Sequence, residues 1–410
     1  RSTRLANCME DLFYQLITKL SELSEIDFNN LFVDGTKIEA NANKYTYVWK
    51  KNVQRNEMNL DNKINDWIVN FNKNFNTHFS NLTQIEKYIT KKIKEENIHF
   101  IYEKRKRKTE LQKIYELLNE YKDRKRKYQN YNSIFNGRNS FSKTDEDATF
   151  MRLKEDHMRN SQLKPAYNVQ IGVSGEYIIG ADVFNNRTDY HTLIPFLETL
   201  KKYLPKFENI VTDAGYESEE NYEYLQKNNQ ISYIKPQTYE KQKTKEFKND
   251  ISKRENMQYL KDSDEYICQN GRKLKFSCLK EKTSTSGYTS NVYVYECENC
   301  SNCELKNKCK KSKDNKKFYV SKEFMGFRNT SYENITSELG IYLRLNRSIQ
   351  VEGAFGVLKQ NYKYRQFLLR GTGKVKIEFL ILCMAYNINK LHSKRENKRL
   401  GIAFHEKSIS

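Results

Sequence analysis

The spacing of hydrophobic residues predicts helices at the start of the chain and one early strand. Apolar residues recur every three or four positions over residues 5–24, which is typical of an amphipathic helix. Residues 31–40 form a short apolar run that predicts a buried strand, and this run carries Asp34 followed by Gly-Thr. Residues 45–131 are highly charged, contain no proline and keep a helical period, so they predict a helical hairpin or coiled-coil-like arm.

Strand and helix patterns alternate in the middle of the chain. Strands are predicted over residues 167–173, 177–184, 209–216 and 231–235, and helices over residues 191–203 and 221–227, with Ser218 as an N-cap. A long helix over residues 337–363 and an apolar helix over residues 377–391 follow. This order predicts an α/β fold with a mixed sheet and flanking helices. The apolar run Phe379–Ile388 is too short to cross a bilayer, so no membrane association is expected.

The charge balance favours a polyanionic partner. The chain has 410 residues with 72 Lys+Arg against 52 Asp+Glu, a formal charge of +20. Its 29 Tyr and 22 Phe supply apolar surface that excludes general disorder. Two basic runs, 104–108 and 124–127, lie in the predicted arm, where they either contact a nucleic-acid backbone or form a solvated helix face.

Carboxylates at two predicted strand ends suggest a metal centre. Asp34 and Asp213 each follow an apolar strand, and in open α/β sheets such strand ends form sites. Carboxylate oxygens are ligands of Mg²⁺. Glu352 offers a third carboxylate on a predicted helix, and Lys359 lies two turns further along the same face. The alternative is an ordinary ladder of surface charges on that helix.

Four cysteines form a compact cluster with metal-ligand spacing. Cys297, Cys300, Cys303 and Cys309 fall within thirteen residues, which predicts a tetrahedral Cys₄ Zn²⁺ site. Three close cysteines strain one tetrahedron, so Cys268 or Cys278 could replace a ligand. An iron–sulfur cluster and free thiols remain as alternatives. The expected role is structural, as a zinc knuckle that staples an insertion without a core of its own.

Several motifs together resemble the DDE transposases of bacterial insertion sequences, which have an RNase H-like catalytic core. The matching stretches are Val33–Tyr45, Asp147–Lys154, Leu163–Gln170, Thr212–Ser218 and Asn346–Lys359. In related enzymes a Tyr-Arg-Glu-Lys signature surrounds the glutamate. Glu352 and Lys359 keep its spacing, whereas Arg347 lies five residues before Glu352 where the signature has four.

The resemblance implies an activity and roles for individual residues. The activity would be phosphodiester cleavage and strand transfer at the ends of an insertion sequence, with two Mg²⁺ or Mn²⁺ ions. Asp34, Asp213 and Glu352 would be the metal ligands, and Lys359 would contact a phosphate. The partner would be double-stranded DNA, both transposon ends and target, bound by a homodimer in the bacterial cytoplasm at the nucleoid. The expected DNA-binding residues are Lys104, Arg105, Arg107, Arg124, Arg126 and Arg347.

The same interpretation divides the chain into a split core with two insertions. The predicted parts are an N-terminal helical remnant (1–30), the first core strand (31–45), a basic helical insertion (46–140), the RNase H-like core (141–236), the Cys-rich insertion (237–325) and C-terminal helices with the catalytic glutamate (326–410). Because only about thirty residues precede the first strand, DNA-end recognition is expected to be partly lost. One competing hypothesis is a catalytically silent DNA-binding remnant. Another is a structural zinc protein whose helical arm binds RNA.

Overall fold

A computed structural model describes residues 2–102, 107–153 and 162–405, with side chains from residue 8 onward. The chain divides into two compact units. The first comprises Arg1–Asn41, Leu153–Gln162 and Ala166–Ser410, and the second comprises Ala42–Arg152 and Leu163–Pro165. Within the described residues, no helix has the length and apolar character needed to span a bilayer.

Strands and helices are numbered here in chain order. The strands are β1 (Asn30–Glu39), β2 (Tyr47–Trp49), β3 (Ser140–Ser142), β4 (Thr149–Arg152), β5 (Leu163–Ser174), β6 (Tyr177–Phe184), β7 (Asn209–Thr212), β8 (Ile231–Ile234), β9 (Gln258–Leu260), β10 (Glu265–Ile267), β11 (Lys273–Thr283), β12 (Thr289–Cys297) and β13 (Lys317–Val320). The helices are α1 (Ser2–Glu22), α2 (Lys50–Phe75), α3 (Leu82–Glu95), α4 (Glu110–Phe135), α5 (Leu193–Leu200), α6 (Glu219–Lys227), α7 (Lys245–Asn249), α8 (Lys306–Cys309), α9 (Lys322–Thr336), α10 (Glu338–Arg347), α11 (Gly353–Gly356) and α12 (Thr372–Glu396). Two π-helical turns, Ser348–Glu352 and Val357–Asn361, flank α11.

The first unit is built on a mixed sheet, which confirms the predicted α/β class. Its strands run in the order β6-β5-β1-β7-β8, with β6, β5 and β1 antiparallel and with β7 and β8 parallel to β1. From residue 165 onward β5 is buried throughout, because it lies between β1 and β6. Alternation along β5 sends Val169 and Ile171 to one face and Asn168 and Gln170 to the other.

A buried ion pair joins the two ends of the first unit. The Lys394 ammonium on α12 lies 2.7 Å from the Glu25 carboxylate, and each side chain is 1% exposed. Glu25 also accepts hydrogen bonds from the Tyr177 hydroxyl and the Gly401 N–H. The ammonium donates to the Ile402 carbonyl as well. Every charge in this network therefore has partners, as a charge in a protein interior requires.

A second carboxylate, Glu176, is held by basic side chains from the C-terminal part of the chain. Lys390, Arg399 and His405 all contact it. Burial acts to raise the pKa of Glu176, but the Lys390 hydrogen bond and the neighbouring basic side chains outweigh burial and keep that pKa below its usual range. A carboxyl whose pKa is lowered by folding adds stability above its unfolded pKa, and this contribution disappears as the pH falls through the folded pKa.

We therefore expect acid to remove the contribution of Glu176 to the free energy of unfolding. Urea denaturation measured from neutral to strongly acidic pH should show a steeper loss for the wild type than for Glu176→Gln. Glu22 is exposed and pairs with Lys19 three residues earlier in the same helix, so Glu22→Gln is the matched control and should follow the wild-type curve. If the free energy of unfolding fell equally with pH in the wild type and in Glu176→Gln, Glu176 would not be the source of this loss of stability in acid.

The Cys-rich region of the first unit forms a second sheet of its own. Five antiparallel strands are ordered β13-β12-β11-β10-β9. They enclose a cluster of buried residues, namely Met257, Tyr266, Leu274, Tyr295, Cys297, Cys300 and Val320. The expectation that this insertion lacks a core is therefore wrong. The aromatic residues of β10, β12 and β13 supply the apolar area: Tyr266 packs edge-on against Tyr295 and Phe318, which stack on each other.

The second unit consists of three long helices and a small sheet. Helices α2, α3 and α4 pack around a core of Leu60, Ile64, Ile68, Phe71, Ile85, Ile89, Leu111 and Leu118. The predicted hairpin is thus a three-helix arrangement, because α2 ends on the left-handed Asn76 and α3 begins on the N-cap Asn81. Strands β2 and β3 pair antiparallel beside a smaller apolar cluster that includes Val48 and Phe141.

Candidate active site

Asp34, within β1, and Asp213, directly after β7, lie side by side at neighbouring strands of the mixed sheet. The parallel pairing of β1 with β7 aligns Phe32 with Val211, so the residues two positions further along reach the same level. One guanidinium contacts both carboxylates: Arg347 Nη2 lies 3.1 Å from Asp34 Oδ1 and 4.0 Å from Asp213 Oδ2. The structure thus brings together the two aspartates that the sequence pattern singled out, although Asp34 lies within β1 and not at its predicted end, because the strand continues to Glu39.

Short local hydrogen bonds fix the orientation of each aspartate. Asp34 Oδ1 accepts from the Gly35 N–H at 2.8 Å, and Asp213 Oδ1 accepts from the Gly215 N–H at 2.8 Å. Asp213 thereby caps the 3₁₀ turn Ala214–Tyr216. A Cβ atom at Gly35 would collide with the amide of Gln170, so the Asp-Gly pair is needed for close packing here.

A further carboxylate, Asp189, lies against the same site, although its position near the sheet in the sequence predicts no catalytic role for it. Its Oδ1 accepts from Asn168 Nδ2 at 2.7 Å and from Gln170 Nε2 at 3.1 Å. Gln170 in turn accepts from the buried Tyr216 hydroxyl. The sequence signal that points to Asp189 is the polar face of β5, where the two amide side chains that bind it alternate with buried apolar residues.

The site carries a surplus of negative charge. The pKa of Asp34 is raised to about 6, mainly by burial; Arg347 and the Gly35 N–H act to lower it, while Asp213 and Asp189 contribute to the rise. Burial, followed by the charges of Asp189, Asp34 and Asp213, also raises the pKa of Tyr216 well above its usual value. Both shifts have the sign expected where carboxylates crowd together away from water, an arrangement that a cation would relieve.

Glu352 and Lys359 lie on the segment of helical turns that follows Arg347. Lys359 Nζ donates to Thr36 Oγ1 at 2.6 Å, two residues beyond Asp34 on β1, so this lysine is close to the aspartates. Glu352 is exposed, and its Oε1 accepts from Ser348 Oγ at 3.0 Å within its own π-helical turn. Arg347 and Lys359 of this segment therefore contact the site, whereas the Glu352 carboxylate accepts its hydrogen bond from Ser348 within the segment itself.

The fit to a divalent cation is good for two residues. Asp34 and Asp213 are adjacent oxygen donors with excess negative charge, as Mg²⁺ requires. Across the described ranges, no three His, Cys, Asp or Glu side chains are arranged to hold a metal ion. In this arrangement Arg347, 11% exposed, supplies the positive charge between the aspartates. Arg347 was expected to contact DNA, but here it faces Asp34, Asp213 and the Val33 carbonyl.

Of the four clustered cysteines, Cys297 ends β12, Cys300 and Cys303 lie in the loop after it, and Cys309 ends α8. Their thiols are free, as are those of Cys268 and Cys278. Cys297 and Cys300 are buried in the core of the second sheet, whereas Cys303 and Cys309 are partly exposed.

The basic residues expected to bind DNA belong mostly to the second unit. Lys104 and Arg105 lie outside the described residues. Arg107 is exposed, and Arg126 is 79% exposed beside Asp123 on α4. Arg124 pairs with Glu120 on the same helix. The ion pairs within α4 are of the exposed kind that contributes little to stability.

Comparison with known proteins gives one match. A protein-family model described as a transposase DDE domain matches residues 267–392. The matched range includes Arg347, Glu352 and Lys359, and it lies beyond Asp34 and Asp213 in the chain. The match supports a DDE transposase. Neither the comparison with curated proteins nor the comparison with solved structures yielded a match.

Proposed function

We propose that the protein is a DNA transposase that cleaves and joins phosphodiesters at the ends of a bacterial insertion sequence. The observation that carries the proposal is the adjacent pair Asp34 and Asp213, contacted together by Arg347. The family match downstream of the pair supports the same activity. The mixed sheet, with three antiparallel strands continued by two parallel ones, supports an RNase H-like core.

In this proposal the metal ligands are Asp34, Asp213 and Glu352, with Mg²⁺ or Mn²⁺. When bound, two such ions activate the attacking oxygen and stabilise the leaving oxygen. The aspartates are held in place by the Gly35 and Gly215 N–H groups, so their oxygens are oriented before any cation arrives. Lys359, anchored at Thr36, would place a positive charge beside a DNA phosphate.

The proposed partner is double-stranded DNA, as transposon ends and as target, bound by two copies of the chain. Lys104, Arg105, Arg107, Arg124 and Arg126 would contact its backbone, consistent with the formal charge of +20. The parts 46–140 and 237–325 would be insertions into the core. The place of action would be the bacterial cytoplasm, at the nucleoid.

A specific observation favours a second candidate, a catalytically silent DNA-binding protein. Glu352 bonds to Ser348, and a guanidinium supplies the charge between the two aspartates. A chain that keeps this arrangement on DNA would bind it without cutting it. Binding and cleavage therefore have to be measured separately.

Glu352→Gln is expected to abolish cleavage while leaving DNA binding unchanged. The substitution removes one anionic ligand but keeps the size of the side chain and its bond to Ser348. The measurement is nicking of DNA carrying the element's ends, with Mg²⁺ or Mn²⁺ and with chelator, alongside a gel-shift assay in Ca²⁺. Glu338→Gln, exposed at the start of α10, is the matched control.

The outcomes separate the candidates. Cleavage by the wild type and by Glu338→Gln, lost in Glu352→Gln, supports the transposase and its third ligand. Equal cleavage by all three proteins would exclude Glu352 from the site. Binding without cleavage by the wild type, in either metal, would favour the silent protein.

A further inference from the structure

We propose that Asp189 is a positioning residue that holds Asp34 and Asp213 in the arrangement that receives a divalent cation. Asp189 belongs to the 3₁₀ turn Asp189–His191, between β6 and α5. The inference rests on the proposed function, because it takes the aspartate pair as the cation site. It adds a residue that acts on the pair through the groups packed around it.

The two carboxylate oxygens of Asp189 lie against the two glycines that orient the aspartate pair. A Cβ atom at Gly35 would lie 2.9 Å from Asp189 Oδ1, and a Cβ atom at Gly215 would lie 3.3 Å from Asp189 Oδ2. The N–H groups of these glycines are the donors to Asp34 and Asp213. Because glycine has no Cβ atom, one carboxylate can approach both of the backbone segments that hold the pair.

Two buried side-chain amides bind Asp189 to β5. Its Oδ1 accepts from Asn168 Nδ2 at 2.7 Å and from Gln170 Nε2 at 3.1 Å. Gln170 is the cross-strand partner of Gly35, and its amide is the group that a Cβ atom at Gly35 would strike. Hydrogen bonds to a charged acceptor are stronger than those between neutral groups. The carboxylate therefore fixes the amide that packs directly beside Asp34.

The oxygen of the same Gln170 amide reaches the turn that follows β7. It accepts from the hydroxyl of Tyr216, which is fully buried. Tyr216 is the last residue of the 3₁₀ turn that Asp213 caps. Two hydrogen bonds in series therefore connect the Asp189 carboxylate to this turn, in a part of the protein where water does not compete with them.

A second connection joins the turn that carries Asp189 to the turn that Asp213 caps. The Asn221 side chain on α6, 1% exposed, donates from Nδ2 to the Tyr190 carbonyl at 3.0 Å and to the Tyr216 carbonyl at 2.7 Å. One amide thus binds both 3₁₀ turns. The place of Asp189 relative to Asp213 is therefore set independently of the hydrogen bonds to β5.

Loss of the Asp189 carboxylate would leave two buried donors without their acceptor. A buried amide without a partner is costly, so Asn168 and Gln170 would turn toward other acceptors. Gln170 packs against Gly35, whose N–H orients Asp34, so this movement would disturb the pair. Residues that hold metal ligands in place contribute about 10- to 100-fold to metal affinity.

The test measures binding of Mn²⁺ to the full-length chain without DNA, by electron paramagnetic resonance of the free ion. Asp189→Ala is expected to bind Mn²⁺ about 10- to 100-fold more weakly than the wild type. Asp34→Asn shows which part of the binding belongs to the aspartate pair. Asp182→Ala is the control, because Asp182 is a carboxylate bound by Thr199 and Lys376, and it should keep the wild-type affinity. Circular dichroism checks the fold of each variant before titration.

Two further variants separate position from charge. Asp189→Asn loses the charge but keeps the shape and an oxygen that accepts from both amides, so it should bind Mn²⁺ nearly as tightly as the wild type. Asp189→Glu keeps the charge but does not fit between Gly35 and Gly215, so it should bind as weakly as Asp189→Ala. Weak binding by Asp189→Asn, or wild-type binding by Asp189→Glu, would overturn the proposal. This comparison decides the matter even if Asp189→Ala does not fold.

Failure of this inference differs from failure of the proposed function. A wild type that binds Mn²⁺ at the pair but does not cut DNA would exclude the transposase activity, and the order of Mn²⁺ affinities would still decide the role of Asp189. Equal affinity in the wild type and Asp189→Ala would overturn that role even with cleavage intact. A wild type that binds no Mn²⁺ would overturn it as well.

Discussion

Lys394→Ala is expected to lower the free energy of unfolding by about 3–5 kcal/mol, the usual cost of removing one partner of a buried ion pair. Glu25 and Lys394 are each 1% exposed, so water cannot replace the lost partner. The variant would leave the Glu25 carboxylate buried with only the Tyr177 hydroxyl and the Gly401 N–H. It would also leave the Ile402 carbonyl without the ammonium.

Two comparisons make this prediction specific. Lys19→Ala removes an exposed partner of Glu22, and its cost should stay below about 1 kcal/mol. The double variant Glu25→Gln/Lys394→Ala removes both charges together and should be less destabilised than the sum of Glu25→Gln and Lys394→Ala. The measurement is chemical denaturation followed by circular dichroism. A cost for Lys394→Ala as small as that of Lys19→Ala would show that the pair adds little.

Asp34→Asn is expected to reduce metal-dependent DNA cleavage by about a thousandfold or more. Metal ions supply several kcal/mol of transition-state stabilisation, and about 4 kcal/mol corresponds to that factor. Asparagine has nearly the shape of aspartate and can still accept from the Gly35 N–H. The loss would therefore reflect the missing charge and not a displaced strand.

Stability should change much less than activity in this variant. Removing the charge weakens the contact with Arg347, but it also relieves burial of a carboxylate and its repulsion from Asp213 and Asp189. We expect an unfolding temperature close to that of the wild type, measured by calorimetry. Asp262→Asn, at an exposed position between β9 and β10, is the control for the substitution itself. Undiminished cleavage by Asp34→Asn would remove this residue from the active site.

The strands of the mixed sheet and its two aspartates could be predicted because both depend on local pattern. Buried strands give apolar runs, and Asp34 and Asp213 directly follow such runs. Asp189 and Arg347 were harder to assign. Each reaches the site from a distant segment. Arg347, at the end of α10, contacts Asp34 and the Val33 carbonyl of β1, whereas Asp189 comes from a 3₁₀ turn and is bound by Asn168 of β5.

The second sheet shows a different limit of sequence interpretation. Lys273–Thr283 alternates charged residues with apolar ones, several of which are exposed, so its pattern indicates little burial. Its core depends instead on a few tyrosines and Phe318 that pack edge-to-face across strands. Similarly, the break between α2 and α3 was missed because Asn76 and Asn81 resemble the many other asparagines of this chain.

The two π-helical turns change how the spacing of residues determines the direction of their side chains in the segment from Glu352 to Lys359. In a regular α-helix, seven residues make nearly two full turns, and the two side chains would point the same way. Here Glu352 closes one wide turn and Lys359 lies within the next, so each turn holds an additional residue. The angle between the two side chains therefore departs from the α-helical value. A wide turn of this kind accommodates one additional residue within a helix. Arg347 can therefore lie one residue further from Glu352 than in the signature and still direct its side chain to the aspartates.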